Sequence, residues 1–323
     1  MSSPQRSSVE RESLHVVGGR GECRHTLRKT FERWHLLSLD APTVAVTWTL
    51  FIAWCAGVHT AIADPAAMFV AVWILYAADR LLDARPLANG TKLVDLTDME
   101  ERHRFHYRHR RRFLPCLAAG TIPLAILLHA IPNGVLHLYI ILAALLSGWL
   151  VLVHALPAAG SRRLPKELAV AVFFPAAVFI PTVARAPWLR LNLLPGAFLF
   201  ACVCFLNCTF LYAWEHPDDL SRAHPSTRFA AHHLREISIA VVLACIVMLA
   251  VPATVTRMPH RAASGLVHPD LLAWAVLLST SLLLLLHSLR HRITPLQLRA
   301  LADFVLLTPA ALAAGVYLVS AYK

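Results

Sequence analysis

The chain has 323 residues, 57% of them hydrophobic and only 15% charged, with a formal net charge of +11. That apolar share exceeds what a water-soluble domain of this length carries, and it calls for a non-aqueous solvent. The 12 Gly and 20 Pro are scattered, which excludes a low-complexity or collagen-like chain.

Residues 1–22 are polar and basic, lack the apolar core of a signal peptide, and read as a disordered tail. Residues 25–38 place Leu27, Phe31 and Trp34 at helical spacing among basic residues. That fits a helix lying on the membrane surface, with a short solvated helix as the alternative. Residues 1–40 are thus expected to be a basic tail, and residues 41–323 a transmembrane helical domain.

From there the apolar residues come in runs of roughly 20, the length that crosses ~30 Å of hydrocarbon. The expected fold class is all-α, a polytopic membrane bundle with spans at 43–63, 65–82, 113–132, 134–155, 167–184, 193–213, 237–256, 268–288 and 301–320. Helices are required because backbone polar groups in lipid must pair within their own segment. A barrel would show short alternating strands, which the sequence lacks.

The second span ends in WILYAADRLLDARP. Asp79 and Asp83 stand four apart, one above the other on a continuing helix. Stacked carboxylates repel unless a cation lies between them, and an oxygen-only pair suits Mg²⁺, which completes its shell with water and phosphate oxygens. Arg80 and Arg85 alongside suit a diphosphate through charge-assisted hydrogen bonds. The plainer alternative is a helix end at which Asp79 pairs with a neighbouring Arg, although acids at a span end are costly unless used.

Residues 101–112, ERHRFHYRHRRR, repeat His103, His106 and His109 every three positions with arginines between. At about 100° per residue these rings spread around a helix, so a convergent metal site is not expected. A basic helix on an anionic leaflet and a lid over the active cavity both fit the composition.

The sixth span ends in FLNCTFLYAWEHPDDLSRAHPSTR. Asn207 and Glu215 share a helical face, and Asp218 and Asp219 follow past Pro217. A capped loop start is the alternative for this second acidic patch. Both even-numbered span ends return to the same side of the membrane, so the two patches can face each other. The seven cysteines lie mostly in apolar runs without CxxC spacing, as buried small hydrophobes do.

Orientation follows from the basic residues. With the N-terminus inside, about 25 of the 30 Lys and Arg fall in the tail and in the loops after spans 2, 4, 6 and 8. This obeys the positive-inside rule, supports an odd span count, and puts the N-terminus and both acidic motifs in the cytoplasm. The net charge is therefore a topology signal, and no aromatic-basic module points to nucleic acid.

Nine helices with acidic motifs after the second and sixth resemble the UbiA-type intramembrane prenyltransferase superfamily. Its first motif, Asn-Asp-x-x-Asp-x-x-x-Asp, falls here on Leu75, Tyr76, Asp79 and Asp83, so the DRLLD core matches and the leading pair does not. The second, an acidic triplet often introduced by Tyr-Ala, meets Tyr212-Ala213 followed by Glu215, Asp218 and Asp219 in an imperfect register. LPKEL at 164–168 resembles a family segment that sets a basic residue near the diphosphate.

The resemblance implies Mg²⁺-dependent transfer of a polyprenyl group from an isoprenyl diphosphate to an apolar or aromatic acceptor. It makes Asp79, Asp83, Glu215 and Asp219 catalytic, with Asp79 and Asp83 on one Mg²⁺ and Glu215, Asp218 and Asp219 on a second. Arg80, Arg85 and Lys166 would contact the diphosphate, Tyr76 and Tyr212 would shield the allylic cation, and Asn207 would complete the substrate site. CDP-alcohol phosphotransferases fit less well, since no glycine follows Asp83. A transporter, a structural membrane subunit, or a protein that kept the fold and lost the chemistry are the other readings.

Overall fold

The computed structural model describes residues 30, 33–83, 101–155, 166–217, 220, 223–250 and 268–321. Among the described residues there are helices and turns and no strand. We label the helices α1 (Asp40–Cys55), α2 (Ala63–Asp83), α3 (Glu101–His129), α4 (Asn133–Ala155), α5 (Lys166–Arg185) and α6 (Arg190–Glu215). They are followed by α7 (Pro225–His232), α8 (Leu234–Ala250), α9 (Pro269–Leu289), α10 (Pro295–Phe304) and α11 (Thr308–Ala321). Prolines open α7, α9 and α10, where a missing N–H costs nothing. Thr294 caps α10 by accepting a hydrogen bond from the Gln297 amide.

Seven helical stretches among the described residues are long and apolar enough to cross a membrane. An eighth is added if α7 and α8, bent by 81° where they meet, form one broken span. The expected first span, 43–63, is shorter than its apolar run suggests. Gly57 takes a φ of 65°, a left-handed conformation that suits glycine, and α1 stops after 16 residues. That is below the ~20 residues a crossing needs. The His268 amide donates to the Cys55 carbonyl and satisfies one orphan at this helix end.

The basic segment 101–112 is neither a loop nor a separate surface helix. It forms the first three turns of α3 and runs without a break into the predicted third span. Arg108, Arg110, Arg111 and Arg112 stay exposed, while His106 and Phe113 turn inward.

The core lies between α1, α5, α6 and α9. Trp48 is wholly buried, stacks on Phe200 with centroids 3.8 Å apart, and donates its indole N–H to the Leu306 carbonyl at 2.8 Å. That carbonyl belongs to the 3₁₀ turn between α10 and α11, so the indole meets an acceptor that regular helix would have used itself. Ser279 donates to the Val305 carbonyl in the same turn, and Thr308 donates to the Ala275 carbonyl. Gly196 lets α6 and α9 approach closely: a Cβ there would lie 2.9 Å from a Leu272 methyl. Ile122, Ile126, Leu145, Val151, Tyr317 and Leu318 are exposed on α3, α4 and α11, as side chains facing acyl chains are.

Candidate functional site

Two buried charged centres sit at opposite ends of the bundle. At one end Asp64, wholly buried on the first turn of α2, pairs with Arg185 at the close of α5 at 2.6 Å. The same Asp64 oxygen accepts the Ala61 amide, so this carboxylate caps α2 as well as neutralising Arg185.

The other end holds the larger network. Asp40 opens α1 and is wholly buried, with one carboxylate oxygen accepting the Ala41 amide at 3.0 Å. Its second oxygen meets Arg80 Nη2 at 3.1 Å and His35 Nδ1 at 2.7 Å. Arg80, 3% exposed near the close of α2, also donates to the His35 carbonyl and the Ser38 hydroxyl, each at 2.9 Å. Arg80 therefore ties α1 and the chain before it to α2 through three contacts. Burying a guanidinium without such partners would carry a large desolvation cost. The Ser38 hydroxyl lies 3.1 Å from His106 Nε2, which adds α3.

The network continues into the last helices. Asp303, on the final turn of α10, places a carboxylate oxygen 3.6 Å from His35 Nδ1. Asn207 of α6 donates to its other oxygen at 3.3 Å. Further along α6, Glu215 pairs with Arg299 of α10. Thr227 of α7 donates to Glu167 of α5 at 2.8 Å, closing the same end of the bundle. Burial holds the His35 imidazole below its ordinary value, against the opposing contact with Asp40.

The predicted site residues divide around this network. Arg80 and Asn207 are inside it, both buried and each hydrogen-bonded to protein groups. Tyr76 is half-buried, with the Arg80 guanidinium carbon 5.1 Å from its ring centroid. Glu215 ends α6 against Arg299. Tyr212 stacks on His216, with centroids 4.5 Å apart and planes at 19°. Asp79 is exposed, Asp83 closes α2, and Lys166 opens α5 as an exposed residue. Arg85, Asp218 and Asp219 lie outside the described residues.

Six residues of the network were not singled out from sequence: His35, Ser38, Asp40, Arg299 and Asp303 went unremarked, and His106 was read as one of a dispersed set. A signal for two of them existed. Asp40 and Asp303 are acids at the edges of apolar runs, as costly there as Asp79. His35 falls in the segment expected on the membrane surface, yet it is wholly buried while Arg33 and Leu37 are exposed.

Among the described residues, the one group of three His, Cys, Asp or Glu side chains with converging donor atoms is His35, Asp40 and Asp303. It contains none of the residues expected to bind Mg²⁺. Comparison with protein-family models, with curated proteins and with solved structures finds no match.

Proposed function

We propose that the protein is a UbiA-like intramembrane prenyltransferase, transferring a polyprenyl group from an allylic diphosphate to an apolar or aromatic acceptor. The observation that supports this reading is a relay of largely buried side chains that links the two motif-bearing helices at one end of the bundle. Arg80 of the DRLLD segment reaches Asn207 of α6 through Asp40, His35 and Asp303, with steps of 3.1, 2.7, 3.6 and 3.3 Å. Side chains on α2 and α6 that are 127 positions apart in sequence thus serve one end of the bundle. The seven longer stretches and the bent α7–α8 pair make up to eight crossings, and α1 would need its flanking residues to supply the ninth that the expected fold calls for. On that count the positive-inside rule would put this end in the cytoplasm.

Asp79 and Asp83 are the residues that would hold Mg²⁺, since oxygen-only carboxylates one turn apart suit it. The bound ion would stabilise charge developing on the departing pyrophosphate. Glu215 fits that role less well, because Arg299 already occupies its carboxylate. Lys166 and the exposed arginines of α3 would contact the diphosphate, and the apolar tail would lie between helices. Tyr76 would shield the allylic cation with its ring face.

A second reading has its own support. Arg80 and Glu215 are both held in protein ion pairs, as in a scaffold that kept the fold and lost the chemistry. Binding separates the two. Farnesyl and geranylgeranyl diphosphate are titrated onto detergent-purified protein with and without Mg²⁺, beside an Asp79→Asn/Asp83→Asn variant. The enzyme reading expects Mg²⁺-dependent binding that the variant loses. Absent binding, or binding indifferent to metal and variant, would leave the scaffold.

A further inference from the structure

His35, Asp40 and Asp303 each offer one donor atom, and the three atoms lie within 4.8 Å of one another. His35 Nδ1 lies 2.7 Å from one carboxylate and 3.6 Å from the other. Metal bonds of about 2.0–2.2 Å to nitrogen and oxygen put neighbouring ligand atoms roughly 3 Å apart, so these spacings bracket what a coordinated ion needs. A second observation concerns the imidazole itself. His35 is 0% exposed, and neither ring nitrogen makes a hydrogen bond of good geometry, although Nδ1 lies within ion-pair reach of both carboxylates.

We propose that His35, Asp40 and Asp303 hold a divalent first-row transition ion of the Zn²⁺ or Mn²⁺ kind. One imidazole with two carboxylates is a mixed nitrogen and oxygen set, which suits those ions better than Mg²⁺. Three protein ligands leave a coordination position open. The surroundings are those of an oriented site. Asn207 donates to the outer oxygen of Asp303, and Arg80 donates to Asp40 and to the backbone carbonyl of His35. The ion cancels the two carboxylates, and Arg80 then leaves one positive charge. The open position accordingly favours an anion, either hydroxide or a phosphate oxygen. The ligands come from the chain before α1, from α1 and from α10, and include none of Asp79, Asp83 or Glu215. These ligands are also links in the network that supports the prenyltransferase reading, and the Asp79→Asn variant separates the two proposals.

The alternative filling of the same space is a single proton shared by the two carboxylates, with no ion. The test uses full-length protein in detergent, purified without a polyhistidine tag and stripped with EDTA. Zn²⁺, Mn²⁺ and Mg²⁺ are added back separately, excess is removed by desalting, and bound metal is counted by mass spectrometry. One equivalent of Zn²⁺ or Mn²⁺ per chain and a raised unfolding temperature are expected. His35→Gln and Asp303→Asn should each weaken binding at least tenfold, whereas Asp79→Asn should not. Co²⁺ added to the stripped wild-type protein should give visible d–d absorption, a readout that needs no variant. Absent d–d bands with no retained metal, retention unchanged in both variants, or preference for Mg²⁺ would each overturn the proposal.

Discussion

Asp40→Ala should be among the most damaging single changes in the protein, because of what it leaves behind. Arg80 is 3% exposed and Asp40 wholly buried, so neither charge is shared with solvent. Removing the carboxylate leaves the buried guanidinium without its counter-charge, held by the His35 carbonyl, the Ser38 hydroxyl and the Tyr76 ring face. Breaking a buried ion pair from one side typically costs about 3–5 kcal/mol, mostly the penalty of the uncompensated charge. The lost bond to the Ala41 amide at 3.0 Å adds about 1 kcal/mol. Asp40→Ala/Arg80→Met removes both charges, fills the space with a flexible apolar chain, and should recover most of the loss. The assay is reversible unfolding in mixed micelles of rising SDS fraction, followed by circular dichroism, on the wild type, both single variants and the double. A double variant as unstable as the sum of the singles would refute the reasoning. So would an Asp40→Ala cost below about 1 kcal/mol, the range of an exposed pair.

Other consequences are simpler to state. Gly196→Val should cost about 1–3 kcal/mol in the same assay, since the first added carbon already lies 2.9 Å from Leu272. The depressed His35 value gives stability that is fully present above its ordinary value of 6.5 and lost as pH falls below it, because the unfolded chain takes up the proton first. Unfolding in EDTA between pH 7.5 and 5.5 should show that slope, and His35→Gln should flatten it. Arg185→Ala should destabilise the protein by stranding buried Asp64, yet leave diphosphate binding unchanged, since this pair occupies the opposite end of the bundle.

The membrane bundle was legible because lipid imposes a length and a composition on every crossing, and residues such as those of α4 and α5 meet both. The short α1 was not legible, since its end depends on the left-handed Gly57 rather than on hydropathy. The extent of α3 was hidden for the converse reason: a count of apolar runs starts the span only at 113, which left 101–112 as a separate surface helix or a lid. DRLLD drew attention to the end of α2 that carries Arg80, but not to which of its charges turns inward. Arg80 is buried and Asp79 exposed because the partner, Asp40, sits 40 residues earlier on the adjoining helix. Asp303 lies 96 residues beyond its partner Asn207, a pairing that no local spacing announces.

The most direct test of the functional account is pyrophosphate release. Proteoliposomes containing the protein are given geranylgeranyl diphosphate, Mg²⁺ and a total lipid extract as the source of acceptor, and pyrophosphate and prenylated lipid are measured together. The account predicts both products in equal amounts, and neither from the Asp79→Asn/Asp83→Asn variant. Bound diphosphate that stays intact under these conditions would contradict it and mark the chain as a membrane scaffold that binds without reacting.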